Sequence, residues 1–277
     1  MTTTHIEATS TTIGGQVLGW TPGRGLTLVD EPPDQFHGLL PAADSWLVLD
    51  GRVRALARHR ERFLTACADA SDLPAVQLVS FWRDMTAALP REGAWFPRVE
   101  LLTADHSPRL RVRIRYSPRR TSGVRVWASG QPDPRTVPRR KGPDLDTLTG
   151  VRHRAGDQGA DEAVLTSASG LVLEATSSSV LWWEDDTLCL PSPRLPVLPG
   201  VTTAIIQDHA GESGIRVLHR ERTLAELAGR EVWLVNALHG IRPVTSWLGP
   251  PMLAGPAAHA ARWQKWLNGI AEPLPDH

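Results

Sequence analysis

The alternation of apolar and polar residues changes period several times along the chain, and the changes mark out its elements. Val17 to Trp20 and Leu26 to Val29 read as short edge strands after an N-terminal arm, with a loop at Glu31-Pro32-Pro33-Asp34. Ser45 to Leu49 is an apolar strand, Asp50-Gly51 a hairpin turn, and Arg52 to Leu56 the return strand. Arg58 to Cys67 and Pro74 to Leu89 follow as helices, the second with Leu78, Phe81, Trp82 and Met85 at helical spacing. Phe96 to Leu102 and Arg109 to Tyr116 are strands about a turn at Asp105-His106-Ser107-Pro108, and Val124 to Ala128 is another. In the second of these, Arg111, Arg113 and Arg115 alternate with Val112, Ile114 and Tyr116, so one face is expected to be buried. A helix over Asp146 to Gln158 opens the second half. Short strands come next at Ala163 to Leu165, Gly170 to Leu173, Val180 to Trp183 and Leu188 to Leu190. Gly200-Val201-Thr202-Thr203 starts a helix running to Gly211. The chain then offers a strand at Ile215 to His219, a short helix at Leu224 to Leu227, a strand at Glu231 to Val235 and a last helix at Pro256 to Leu267.

This order predicts an α+β unit over residues 1–130, a proline- and arginine-rich crossing over 131–145, and an α/β unit over 146–277. With 277 residues, 41% hydrophobic and 22% charged, the chain can bury a large core. Formal net charge is zero, which speaks against nucleic acid and membrane surfaces as partners. No apolar run approaches a membrane span, and the threonine-rich start lacks the pattern of a secretory signal, so a cytoplasmic location is expected. Cys67 and Cys189 read as buried thiols, and the ten histidines show no metal-ligand spacing. Eleven tryptophans, most beside apolar residues, point to core and subunit packing.

Candidate chemistry begins with a count. Of 30 basic residues only two are lysines, Lys141 and Lys265. Arginine serves wherever plain charge is wanted, but only a lysine amine loses its proton readily enough to attack a carbonyl and form a Schiff base. Lys141 follows two arginines, which would lower its pKa if they point the same way. Downstream lie Gly159 to Leu165, Gly170-Leu171-Val172-Leu173-Glu174-Ala175-Thr176-Ser177-Ser178-Ser179, Leu198-Pro199-Gly200-Val201-Thr202-Thr203, and Val235-Asn236-Ala237-Leu238-His239-Gly240-Ile241-Arg242-Pro243-Val244. Four separated motifs in this order, spanning about Leu47 to Trp247, resemble the fold-type IV pyridoxal-phosphate enzymes, the class IV aminotransferase family.

The resemblance implies a two-domain fold like that of D-amino-acid aminotransferase, with the cofactor cleft between the domains, and pyridoxal 5'-phosphate carried on Lys141. It makes Glu174 the partner of the pyridine nitrogen. It places the phosphate at Gly200, Val201 and Thr202 on a helix N-terminus, where free amides and the helix dipole favour an anion. His59 and Arg62 match a histidine and arginine at i and i+3 in the family, and Arg62 then binds the phosphate. Ser177, Ser178, Asn236, Ala237 and Leu238 match the remaining cofactor contacts. In the family, clefts lie near a subunit interface, so a homodimer is implied.

Asn236-Ala237-Leu238 with Pro243-Val244, Ala160-Asp161-Glu162-Ala163 and Ser192-Pro193-Arg194-Leu195 look most like aminodeoxychorismate lyase. The expected reaction is therefore pyruvate elimination from an amino substrate. Amino transfer to a 2-oxo acid is the alternative, and a non-catalytic member of the fold the third reading. One departure stands out. Leu39-Leu40-Pro41-Ala42-Ala43-Asp44 occupies the place of the family's Gly-Asp-Gly-aromatic stretch, so an aromatic wall of the site is expected to be missing.

Overall fold

The structure, a computed structural model, describes residues 15–29, 38–104, 107–249 and 253–276. The N-terminal arm, the Glu31–Asp34 loop and the Asp105-His106 half of the expected turn lie outside the described residues.

The first half begins with strands β1 (Gln16–Thr21), β2 (Gly25–Leu28), β3 (Leu39–Ser45), β4 (Val48–Leu49) and β5 (Arg52–Val53). Helices α1 (Leu56–Ala68) and α2 (Ala75–Ala87) follow, then β6 (Ala94–Trp95), β7 (Arg98–Ala104) and β8 (Ser107–Ile114). Five strands form a sheet in the order β2-β1-β8-β7-β3. Val99, Leu101, Val112 and Ile114 face a core with Phe63 of α1 and Phe81 and Met85 of α2. The other face of β7 and β8 is covered as well, against expectation. Glu100 is fully buried with Arg111 and Arg113, while Tyr116, expected inside, is 59% exposed.

Strand β3 is the main departure from the sequence reading. Leu39 to Asp44 contains proline and weak strand formers, and Ser45 to Leu49 carries the apolar run. Pairing with β7 makes the strand instead, with a register irregularity between Leu39 and Ala42. The expected strand at Ser45 to Leu49 is split: Ser45 ends β3 and Val48–Leu49 begins the hairpin. The return strand is only Arg52–Val53, because Ala55 takes a left-handed conformation and α1 starts at Leu56.

The second half is built on β9 (Val124–Trp127), α3 (Leu145–Asp157), β10 (Glu162–Thr166), β11 (Val172–Ala175), β12 (Ser179–Glu184) and β13 (Thr187–Pro191). It continues with α4 (Val201–Glu212), β14 (Arg216–Arg220), β15 (Val232–Asn236), β16 (Gly240–Leu248), α5 (Ala260–Gly269) and β17 (Glu272–Pro273). The sheet runs β11-β10-β9-β16-β15-β12-β13-β14, and β11 also pairs with β12. That extra pairing closes six strands into a barrel, with β13 and β14 as an extension. Val126, Val164, Val180, Trp182, Leu234 and Val244 fill one apolar cluster. Helices α4 and α5 pack Ile206, Trp263 and Leu267 against Trp233 and Leu181.

Strand β16, which contains Pro243, is not among the strands expected from the sequence. It pairs with β15 on one side and β9 on the other, with an irregularity between Val244 and Ser246 that absorbs the poor fit. Among the described residues strand β9, expected with the N-terminal unit, pairs with β10 and β16, so the chain enters the barrel before Val124. The C-terminus returns the other way: β17 pairs with β5, and Leu274 packs into the N-terminal core. The last helix starts at Ala260 rather than Pro256. Among the described residues no helix is long and apolar enough to cross a membrane.

Candidate active site

Lys141 sits on the loop between β9 and α3, and three devices hold that loop. The Asp144 carboxylate accepts hydrogen bonds from the backbone amides of Thr136 (2.9 Å) and Val137 (2.8 Å) and from the Thr136 hydroxyl (2.9 Å), closing the turn. The Ala43 amide donates to the Lys141 carbonyl at 2.8 Å, which ties the loop to β3. Gly142 lies against the same strand. A Cβ there would stand 2.8 Å from the Leu40 carbonyl oxygen and 2.9 Å from the Ala42 Cα, at a φ of 143°. The β3 segment, which departs from the family's sequence, is therefore the platform of the lysine. Small Ala42 and Ala43 permit the close approach.

A cavity of about 350 Å³ opens at this point. Lys141, Arg62 and Glu174 line it, with Ser177, Ser178, Gly200, Val201, Thr202, Asn236, Ala237 and Leu238. Residues from both halves of the chain, more than 170 positions apart, thus meet around one amine. A second, larger cavity of about 770 Å³ shares Arg62, Arg140, Lys141 and Glu174 and runs along α1 and α4. Burial lowers the Lys141 pKa to about 8, and the cations Arg62 and Arg98 add to this while Asp44 opposes it. The amine can thus give up its proton near neutral pH.

Glu174, on β11, is buried, and burial pushes its carboxyl up to about 7 against the pull of Arg135 and of the Leu198 amide. Its Oε1 takes both partners: the Arg135 guanidinium and the Leu198 N–H at 3.1 Å. Arg135 is itself held by Asp133 (2.8 Å) and by the Pro196 carbonyl (3.0 Å). Sequence reasoning missed Arg135. It is one of several arginines in the proline-rich crossing, and nothing in the local pattern says which of them turns inward.

Arg62 is committed from two sides. Its Nε and Nη2 fork onto the fully buried Asp44 at 2.8 and 2.7 Å, and Nη1 donates to the Pro199 carbonyl at 3.0 Å. His59 Nδ1 lies 3.0 Å from the same carboxylate. Burial raises the Asp44 pKa, but Arg62 and His59 outweigh it and hold the carboxyl well below its usual range. Asp44, unassigned in the sequence reading, anchors this pair. The Pro199 contact brings Arg62 beside the start of α4.

Helix α4 begins at Val201 after Gly200, with no side chain capping it and no acidic residue in its first turn. Its first amides have no partner inside the helix. The Thr203 hydroxyl is buried there without a hydrogen-bond partner among the described residues, and so is Arg140 Nε on the lysine side. A Cβ at Gly200 would collide with the Ser179 hydroxyl at 2.7 Å.

The remaining expected contacts are arranged differently. Glu162 accepts from the Ser177 amide (2.9 Å) and the Ser178 hydroxyl (2.7 Å), and pairs with buried Arg242. Asn236 donates to the Ser178 hydroxyl (3.0 Å) and accepts from the amides of Leu238 (3.1 Å) and His239 (2.8 Å). The Ser178 hydroxyl and Leu238 amide are therefore occupied in building the wall, while Ser177 is exposed at the cavity lining. The Ala237 carbonyl accepts from Arg54 at 2.9 Å. His239 Nδ1 accepts from the Thr121 amide (3.2 Å), and burial, with Arg242 nearby, lowers its pKa to about 4. Phe96, in the link between β6 and β7, and Arg115 also line the cavity, so an aromatic side chain is present there, though not one from β3.

A desolvated amine, a buried carboxylate across the cavity, an arginine and an uncapped helix start are the donor set that a phosphorylated pyridine aldehyde requires. Comparison with known proteins gives the class. The family model described as amino-transferase class IV matches residues 42–247, and the chain belongs to that family of pyridoxal-phosphate enzymes. Among solved structures, a branched-chain aminotransferase from Thermoproteus uzoniensis with norvaline is 18% identical with a TM-score of 0.78, over 95% of this chain and 100% of that one. A fold IV transaminase from Curtobacterium pusillum is 22% identical with a TM-score of 0.71, over 91% and 97%. The PLP-bound form of a hypothetical aminotransferase from Mycobacterium tuberculosis is 19% identical with a TM-score of 0.70, over 92% and 98%. The fold is that of fold-type IV. A search of curated proteins returned no match.

Proposed function

We propose that this protein transfers an amino group between an amino acid and a 2-oxo acid, with pyridoxal 5'-phosphate held by Lys141. The observation that carries the reading is the pairing, in one cavity, of a lysine whose amine deprotonates near neutral pH with a buried carboxylate held by an arginine. Family membership supports amino transfer above the pyruvate elimination expected from the Asn236-Ala237-Leu238 pattern. When bound, the cofactor supplies an electron sink for the bond broken at the substrate α-carbon.

The protein's own part is positioning and proton movement. Arg62 and the amides of Val201 and Thr202 would hold the phosphate. Glu174, fixed through Oε1 by Arg135 and Leu198, would pair with the pyridine nitrogen and keep a proton there. Lys141 Nζ would hold the cofactor, and its amine is placed to move the proton at the substrate α-carbon. The Asn236–Ser178–Glu162 network holds the wall rigid so that these groups need no reorganisation.

Borohydride reduction of the loaded protein followed by peptide mapping is expected to label Lys141; a label on Lys265, or none, sinks the assignment. The reaction is decided by incubation with amino donors and 2-oxoglutarate or pyruvate. Formation of the new amino acid supports transfer. Release of pyruvate from aminodeoxychorismate without transfer would replace it with the lyase reading.

A further inference from the structure

The cations at the α4 end of the cavity differ in what neutralises them. Arg62 is forked onto Asp44, so that pair brings hydrogen bonds but little net charge. The start of α4 brings about half a positive charge. A phosphate monoester carries about −1.5 to −2 charges at neutral pH. Further positive charge lies behind the cavity wall, on Arg54. Arg54 follows β5 and is 8% exposed, and among the described residues no carboxylate lies within ion-pair distance of it. Burial, with Arg120 nearby, lowers its pKa to about 10, so it stays charged at neutral pH. A buried cation without a counterion is costly unless an anion is bound close by.

The contacts of Arg54 point to where that anion belongs. Its Nη2 donates to the Ala237 carbonyl at 2.9 Å. The Leu238 N–H of the same peptide group donates to Asn236 Oδ1 at 3.1 Å, so this peptide is held from both sides. Ala237 and Thr202 line the main cavity. The same two residues, with Arg54 and Ile205, border a crevice behind the wall that has no room for a water molecule. The Ala237 turn and the first turn of α4 thus stand between the guanidinium and the cavity, and the crevice is too tight to admit the water that would screen its charge. We infer that Arg54 is a positioning residue for the cofactor phosphate: it fixes the Ala237 turn beside the start of α4 and supplies, from behind the wall, positive charge that the Arg62–Asp44 pair does not. The inference rests on the assignment of this cavity to pyridoxal phosphate but not on which reaction follows.

The test compares pyridoxal 5'-phosphate with pyridoxal, which lacks the phosphate, each titrated by absorbance into the full chain freed of cofactor. Arg54→Gln is expected to weaken the phosphorylated form by about ten- to a hundredfold while moving pyridoxal less than about threefold. A merely structural role would weaken both alike. Arg54→Lys, which keeps the charge, should hold the preference for the phosphorylated form within about threefold of the wild type. Arg60→Gln, exposed and outside the cavity, changes neither affinity. Parallel losses for the two probes in Arg54→Gln overturn the inference, as does a preference that survives there unchanged. If Arg54→Gln does not fold, the lysine variant decides: a preference lost by tenfold or more with the charge retained counts against the electrostatic role. A wild-type protein that binds pyridoxal as tightly as its phosphate refutes the phosphate site itself, whereas a wild-type preference insensitive to Arg54 refutes this inference alone.

Discussion

Arg135→Gln is the most direct probe of how the fold sets the chemistry of Glu174. Arg135 is 4% exposed at its side chain and is the only cation among the described residues that ion-pairs with Glu174. It works against burial, which by itself drives the carboxyl upward, and the balance leaves a pKa of about 7 against an ordinary 4.5. A charge-assisted hydrogen bond contributes about 1.5–3 kcal/mol net, and one pKa unit corresponds to about 1.4 kcal/mol, so its loss should raise Glu174 by roughly one to two units. At pH 7 most of the carboxyl would then be protonated. It could no longer hold a proton on the pyridine nitrogen, and turnover at neutral pH should fall by about tenfold or more. The assay is turnover against pH at saturating cofactor. The acid limb should move toward alkaline pH by about one to two units, with Arg135→Lys recovering part of the shift, as expected for a residue that positions another. Stability should fall too, because Glu174 and Asp133 lose their shared partner. Breaking such a buried pair costs about 3–5 kcal/mol. The wild-type protein carries a related signature. A carboxyl whose folded pKa lies above its unfolded value binds more protons when folded, so its contribution to stability declines as pH rises from about 4.5 to about 7. A folded Arg135→Gln protein whose acid limb coincides with that of the wild type would refute this account.

Two further outcomes are expected. Arg62→Ala should weaken cofactor binding and also destabilise the apoprotein by about 3–5 kcal/mol, because Asp44 is left buried without its guanidinium. Adding Asp44→Asn should restore part of that loss in urea denaturation, whereas simple additivity of the two losses would contradict the pairing. Gly142→Ala should lower the melting temperature and the yield of Lys141 labelling, since its Cβ would meet β3 backbone atoms at 2.8–2.9 Å and such overpacking costs about 1–3 kcal/mol. A variant with wild-type melting and labelling would remove β3 as the platform of the lysine.

By itself the sequence determined most of the elements and singled out the candidate reactive groups. Periodicity located α1 to α4 and most barrel strands, because those segments bury one face or are continuously apolar. Scarcity made Lys141 conspicuous, and the order of four motifs led to Glu174 and the Gly200-Val201-Thr202 helix start, which do line one cavity with it. Strands β3 and β16 were invisible because their partners, not their composition, make them strands: an irregular, proline-bearing segment becomes ordered when β7, or β9 and β15, supply its hydrogen bonds. The tertiary structure also decided the pairing of charges. Arginine is so common here that no local pattern separates Arg62 and Arg135, which turn inward onto Asp44 and Glu174, from Arg60 and Arg119, which face solvent. Nor could spacing show that the Ser178 hydroxyl is consumed by Glu162. A hydrogen bond between residues far apart in the chain is a property of the closed barrel, and it exists only once β11 and β12 have brought those loops to one end of it.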